Sequence, residues 1–196
     1  MYPPSIEKSD WLFSIEEQAI RFGLLPISNV GMQAVKAILK GRIEKTILDL
    51  FQLVVQLYPE LSKKALESLI KAGACDHFGE DRATLLATVD DAIEFAQKIK
   101  EFQEETAGLF KLDLEAPDYQ KVEPYTDYER LEFEKEVLGF YLSGHPLERY
   151  EQTLRSKGRI TIREALAHSG KLLLQERSSR LNELERKKVM QWLLRH

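Results

Sequence analysis

Apolar positions along the chain recur mainly every three or four residues, the spacing of helices that bury one face. They predict helices over 32–40, 46–57, 62–72, 81–102 and 126–142. In the fourth of these, Leu85, Val89, Ala92, Ile93, Ala96 and Ile99 fall on one stripe, which is expected to face a core. Ser62 stands where an N-cap would. Thr126 followed by Glu129 makes a capping box, in which hydroxyl and carboxylate each bond an end amide. A short alternating run, Trp11, Phe13 and Ile15, predicts an extended segment packed on one face, after an extended Tyr2-Pro3-Pro4 lead-in.

Glycines at 23, 31, 41, 73 and 79 mark turns between these helices. The stretch 103–125 sets Gly108, Pro117 and Pro124 among acidic residues and predicts a linker. Beyond Gly158, Arg159–Ile162 and Lys171–Gln175 are candidate short strands, and 179–195 a charged helix. The expected fold class is all-α. Residues 1–102 form one helical domain, 103–125 an acidic linker, 126–150 a connecting helix and turn, and 151–196 a basic tail of undetermined fold.

Composition adds limits. The 196 residues are 43% hydrophobic and 31% charged, the balance of a folded protein rather than a disordered one. No apolar run reaches the roughly 18–20 residues of a membrane span. The opening MYPPSIEKSDW lacks the basic start and apolar run of a secretory signal, so the expected compartment is the cytoplasm, away from membrane. Cys75, the single cysteine, permits neither an internal disulfide nor a cysteine zinc site, and its apolar setting predicts a buried core thiol. The net charge of −4 conceals a division: residues 1–100 carry −2, 101–129 carry −7, 130–148 carry −2 and 149–196 carry +7. An acidic total does not exclude nucleic acid, because phosphate binding depends on local donors as well as on bulk charge.

A repeat supplies the candidate chemistry. Leu25-Pro26-Ile27-Ser28-Asn29-Val30-Gly31 leads into the helix at Met32, and Cys75-Asp76-His77-Phe78-Gly79 leads into the one near Asp81. At the same offset of 48 positions, Phe22 matches Ile70, Ile27 matches Cys75, Val30 matches Phe78, and Val35 and Ile38 match Ala83 and Leu86. This is the pattern of two helix-hairpin-helix units. The apolar residues clamp each hairpin, glycine allows a close approach, and the amides of hairpin and helix start make a nest for phosphate. Such a nest grips the sugar-phosphate backbone without reading bases. Behind Gly31 come Lys36, Lys40 and Arg42. Behind Gly79 come Glu80 and Asp81, which suit a helix N-terminus but repel phosphate, with Arg82 the only cation near. The first hairpin, through Ser28, Asn29, Val30, Gly31 and Met32, is therefore the expected DNA-facing one. The second, with Gly79 and Arg82 as its candidate contacts, is expected to be mainly structural.

AIRFGLLPISNVGMQAVKAIL (19–39), LSKKALESLIKAGACDHFGEDRATLLATVDDAIEFAQK (61–98) and LEFEKEVLGFYLSGHPLERY (131–150), together with the entry PPSIEKSDWLFSIEEQAIRFGL, resemble the alpha subunit of bacterial DNA polymerase III. They resemble its tandem helix-hairpin-helix region after the fingers, and the likeness covers about residues 3–165. It implies binding of duplex DNA behind a polymerase active site, partnership with the remainder of that polymerase, and delivery to a sliding clamp. The family's clamp-binding pentapeptide corresponds to Thr106, Ala107, Gly108, Leu109 and Phe110. Leu109 and Phe110 keep the two apolar anchors, while Thr106 replaces the usual glutamine. The resemblance also implies that the parent polymerase uses magnesium, whereas these residues need no cofactor of their own.

Motifs for other chemistry are missing from the pattern. GxxxxGK[ST] and HExxH do not occur, and Asp113-Leu114-Glu115 lies in the acidic linker. His77, His145, His168 and His196 are scattered, and His145 within Ser143-Gly144-His145-Pro146 reads as a helix exit. The polymerase palm of the family has no counterpart here, so nucleotidyl transfer is not expected of this chain alone. After about residue 165 the resemblance implies an OB-type barrel, here truncated, with Lys171–Gln175 as its candidate first strand, but Ser178–His196 does not continue the pattern. Leu181, Leu184, Trp192 and Leu193 among basic residues then read either as a DNA-binding amphipathic helix or, preferably, as a replacement tail left by truncation or frame change. The leading expectation is a non-catalytic, duplex-backbone-binding part of a replicative polymerase. The alternative is a helical protein-interaction module whose hairpins are turns only.

Overall fold

The first twenty-five residues are tied down by backbone pairing rather than by helices. The computed structural model describes residues 1–105 and 115–148. Tyr2 N donates to the Ile20 carbonyl at 2.8 Å, and Phe22 N donates back to Tyr2 at 3.1 Å. Strand β1 (Ser14–Glu16) pairs antiparallel with β2 (Ala19–Arg21), Ile15 opposite Ile20. The expected extended run is thus shifted and faces differently. Trp11 is half-buried, but Phe13 and Ile15 are exposed, Ile15 by 86%: β2 pairs with an edge of β1, and among the described residues no layer covers Ile15, while Phe13 meets Phe22 edge-on at 4.8 Å.

Six α-helices follow among the described residues: α1 (Met32–Glu44), α2 (Leu50–Leu57), α3 (Lys63–Lys71), α4 (Arg82–Ala87), α5 (Val89–Glu105) and α6 (Asp127–Leu138). The fold is mostly helical with one small sheet. Its core joins Leu50, Leu53, Val54 and Leu57 of α2 to Val89, Ala92 and Ala96 of α5, with Phe51 edge-on to Phe95 at 5.8 Å. Ser62 caps α3 by accepting from Ala65 N, and Thr126 and Glu129 form both bonds of the capping box on α6.

Four boundaries depart from the periodicity. α1 runs on to Glu44 through Gly41, a glycine expected at a turn, and the helix expected over 126–142 ends at Leu138, where Gly139 takes the left-handed region at φ +87°. The helix expected over 46–57 starts at Leu50, because the Asp49 carboxylate accepts from Gln52 N and caps it there. The helix expected over 81–102 is two helices. Thr88 ends α4, donating its hydroxyl to the Thr84 carbonyl at 2.8 Å, and α5 begins at the next residue.

The described residues through Pro146 belong to one unit, Met1–Pro146. The described part of the acidic stretch is held against the helices. Leu50 N donates to the Tyr119 hydroxyl at 3.2 Å and Gln120 N to the Thr88 hydroxyl at 3.0 Å. α6 packs on α3 within the same unit rather than serving as a separate connector. The segment Thr106–Phe110, expected from the resemblance to bind a clamp, the pair Asp113-Leu114 and the expectations for 149–196 lie outside the described residues. Among the described residues, no helix is long and apolar enough to cross a membrane.

Candidate nucleic-acid interface

The first hairpin is a tight bend closed by its own backbone. Ile27 N bonds the Leu24 carbonyl and Val30 N bonds the Ile27 carbonyl, both at 3.2 Å. Ile27 and Val30 are buried and seat the bend on the core, and Val35 and Ile38 anchor the helix that leaves it. Two other elements grip the bend between those anchors. Ser28 N donates to the Val137 carbonyl of α6 at 2.9 Å, and Asn29 Nδ2 donates to the Ser68 hydroxyl of α3 at 3.0 Å. Asn29 sits in the left-handed region at φ +63°, a conformation that asparagine tolerates better than most residues.

Gly31 then enters α1 in extended conformation (φ −82°, ψ 166°), and no side chain caps the helix. Gly31, Met32 and Gln33 are exposed, and their amides have no acceptor in the described chain. A Cβ placed at Gly31 would meet nothing within 4 Å, so this face of the bend is open. The first turn of α1 holds no acidic residue, and the exposed Lys36 follows one turn on. Unpaired amides, the positive end of the helix dipole and a nearby lysine all favour an anion there.

The nest is narrower than the repeat pattern suggests. The Ser28 and Val30 amides are consumed internally, so the free donors begin with Asn29 and Gly31. Lys40 is exposed, 3.6 Å from Glu44. Arg42 does not face a ligand. Its Nη1 donates to the carbonyls of Ile6, Glu7 and Ser9, at 3.3, 3.2 and 2.6 Å, and stitches the N-terminal segment to α1. It is withdrawn from the DNA-facing set.

The helix that leaves the second hairpin begins with its end amides already bonded. A short 3₁₀ turn, Asp76–Phe78, leads to Gly79 at φ +83°, a conformation for which glycine is suited. The Asp81 carboxylate then accepts from Ala83 N, Thr84 N and the Thr84 hydroxyl, at 2.9, 3.0 and 2.7 Å. Burial pushes this carboxyl up, but the bonds from Thr84 and Ala83 outweigh it and hold it below the usual aspartate range. The end of α4 that phosphate would need is already occupied by a negative side chain. Glu80 is paired with Lys121 beside it.

Arg82 is likewise withdrawn. It is buried, with Nε and Nη2 on the two Asp76 oxygens at 2.8 and 2.7 Å, and Nη1 reaching the Lys71 carbonyl at 3.2 Å and Glu134 at 3.5 Å. Burial lowers the guanidinium's pKa, but Asp76 and then Glu134 more than offset this and keep it above the ordinary arginine value. Gly73 lies against it, where a Cβ would collide with the guanidinium. Glu134, also buried, accepts from Leu142 N and Ser143 N at 3.0 and 2.9 Å, so the Ser143–Pro146 turn is a structural exit from α6.

Sequence reasoning missed Ser68 and Glu134. Each left a signal in the chain: a hydroxyl among Ala65, Leu66, Leu69 and Ile70, and a carboxylate three residues from Leu131 and Val137, on faces otherwise apolar. Among the described residues, no three His, Cys, Asp or Glu side chains gather to hold a metal ion.

The family whose model matches residues 1–85 is the helix-hairpin-helix motif. DNA polymerase III subunit alpha of Halalkalibacterium halodurans is 50% identical over 163 residues, covering 83% of this chain and 14% of that protein. Those of Bacillus subtilis and Thermus aquaticus are 40% and 38% identical, each over 83% of this chain and over 15% and 13% of their own lengths. The chain thus spans about one seventh of the length of the curated relatives it matches. Matched over most of its own length to one segment of these proteins, with the helix-hairpin-helix motif in its N-terminal part, the chain is similar to that segment of DNA polymerase III subunit alpha.

Proposed function

We propose that this chain is a non-catalytic part of a bacterial replicative polymerase that holds duplex DNA by its backbone. The observation that carries the reading is the uncapped start of α1. There the exposed Gly31, Met32 and Gln33 present unpaired amides over open space, with Lys36, and Lys40 beside Glu44, on the exposed face of the same helix. The N-cap of the helix after the second hairpin is Asp81, whose carboxylate takes the end amides, so on this reading the two copies divide the work between ligand and fold. Binding of this kind is independent of base sequence, since amides and lysines reach phosphate and not base edges. On this reading the chain works in the cytoplasm and needs no cofactor, magnesium-dependent nucleotidyl transfer belonging to the remainder of the polymerase. Delivery to a sliding clamp through Leu109 and Phe110 is part of the same proposal and rests on the resemblance. A pulldown in which Leu109→Ala/Phe110→Ala retained clamp as well as the parent would remove it.

Fluorescence anisotropy of the 196-residue chain on random duplex and single strand, across a salt series, tests the DNA reading. Affinity for duplex should fall log-linearly with salt, with a slope that counts the phosphates neutralised. Lys36→Glu together with Gly31→Val should abolish most of it at low salt. A duplex affinity untouched by that pair would refute the first-hairpin assignment.

A second reading, a protein-interaction module, is favoured by one feature. Leu12, Phe13 and Met32 are exposed and, with Asp10, Trp11 and Leu25, line an open groove of about 370 Å³. An apolar interface there would barely respond to salt, and the same titration separates the two.

A further inference from the structure

We infer that Ser68, on α3, is a positioning residue for the first hairpin: it holds Asn29 in the left-handed turn that leaves the Gly31–Gln33 amides open to phosphate. This inference rests on the DNA reading above and deepens it. Both hairpins hold a residue at positive φ, at positions that do not match in the repeat, since Asn29 corresponds to His77 and Gly79 to Gly31. The second uses Gly79, which adopts φ +83° without help. The first uses Asn29 at φ +63°, a side-chain-bearing residue, and ties that side chain to a neighbouring helix.

The tie is specific. Ser68 is 3% exposed, on the face of α3 that otherwise buries Ala65, Leu66, Leu69 and Ile70. A hydroxyl buried among aliphatic groups is costly unless it is bonded. Its oxygen accepts from Asn29 Nδ2 at 3.0 Å, across 39 positions of sequence. The adjacent Ser28 amide is fixed by the Val137 carbonyl of α6, so the bend is held from two sides just before the free amides begin. The strut is found in the hairpin whose helix start is unpaired. The hairpin whose helix start is capped by Asp81 turns on a glycine instead.

A double-mutant cycle on the full chain tests this, read by duplex affinity, salt slope and thermal melting. Ser68→Ala should weaken duplex binding roughly three- to tenfold, the worth of one lost hydrogen bond. Its salt slope should match the parent's, because no cation has been removed. Asn29→Ala removes the same bond from the exposed partner without touching α3 and should lose at least as much. In an Asn29→Gly background, where the turn forms without a strut, Ser68→Ala should have no further effect. Equal weakening by Ser68→Ala in both backgrounds would make Ser68 merely structural and overturn the inference. So would parent-like affinity of either Ser68→Ala or Asn29→Ala. A parent that binds no duplex at low salt would overturn the DNA reading itself, and this inference with it.

Discussion

Arg82 Nη1 lies 3.5 Å from Glu134 Oε1, between the start of α4 and the middle of α6, with each side chain exposed by less than a tenth. The pair sits at the centre of a set that also includes Asp76, the Lys71 carbonyl and the amides of Leu142 and Ser143. It closes the second hairpin onto α3 and α6. Removing one partner of a buried ion pair leaves the other charged and unsolvated, at a cost of about 3–5 kcal/mol. Arg82→Met should therefore lower the denaturant midpoint by an amount of that order. Folded Arg82→Met should bind duplex like the parent, since this guanidinium faces inward.

The two hairpin glycines should separate binding from stability. At Gly31 φ is negative and a Cβ meets nothing, so Gly31→Ala should cost less than about 1 kcal/mol of stability. It should still weaken duplex binding, because a methyl group stands where the phosphate approaches. At Gly79 φ is +83°, and Gly79→Ala should cost about 1–2 kcal/mol while leaving duplex affinity alone. Paired melting and anisotropy measurements on the two variants check both halves.

Stability should depend on Asp81 in acid. Its folded carboxyl lies below the ordinary range, so the native state binds its proton less readily than the unfolded chain does. The resulting stabilisation is complete above the unfolded aspartate value of about 3.9 and is lost as pH falls through the lower folded value. Asp81→Asn keeps a capping oxygen but has no proton to take up. The parent's margin over Asp81→Asn at pH 7 should shrink below about pH 4, whereas Asp81→Ala should be weaker by about 0.5–2 kcal/mol at pH 7. Urea midpoints at neutral and acid pH for the three proteins decide this.

Cys75 should be silent in the native state. It is 0% exposed, and burial, with the neighbouring Asp76 charge, pushes its thiol well above the ordinary value despite Arg82. Thiolate is the reacting form, so an aromatic disulfide reagent should modify it only as fast as the chain opens. Rapid modification at neutral pH without denaturant would contradict its place in the core.

Much of this architecture was legible locally. The caps at Ser62 and on Thr126–Glu129 each involve groups within three residues of one another, and the stripe from Leu85 through Val89 and Ala92 to Ala96 is buried as its spacing requires. The break at Thr88 was not legible. The apolar stripe runs on through it, and the backbone bonds from Thr88 N to Thr84 and from Ala92 N to Thr88 span it. The facing of Phe13 and Ile15 was missed because alternation marks two faces without saying whether any layer covers either one.

What the chain determined by itself was its helical character, the caps at Ser62 and Thr126, the two glycine-bearing turns at matched offset and the acidic residues behind the second, since propensity, capping and periodicity act over a few residues. Tertiary structure alone decided which polar groups remain available. Arg42 and Arg82 have the same chemistry as any surface arginine, and only the carbonyls and carboxylates brought to them from distant segments turn them inward. Asn29 and Ser68 are 39 residues apart, and only the packing of α3 beside the first bend makes them partners. A free donor is whatever folding leaves unpaired, and that is settled by contacts no local pattern contains.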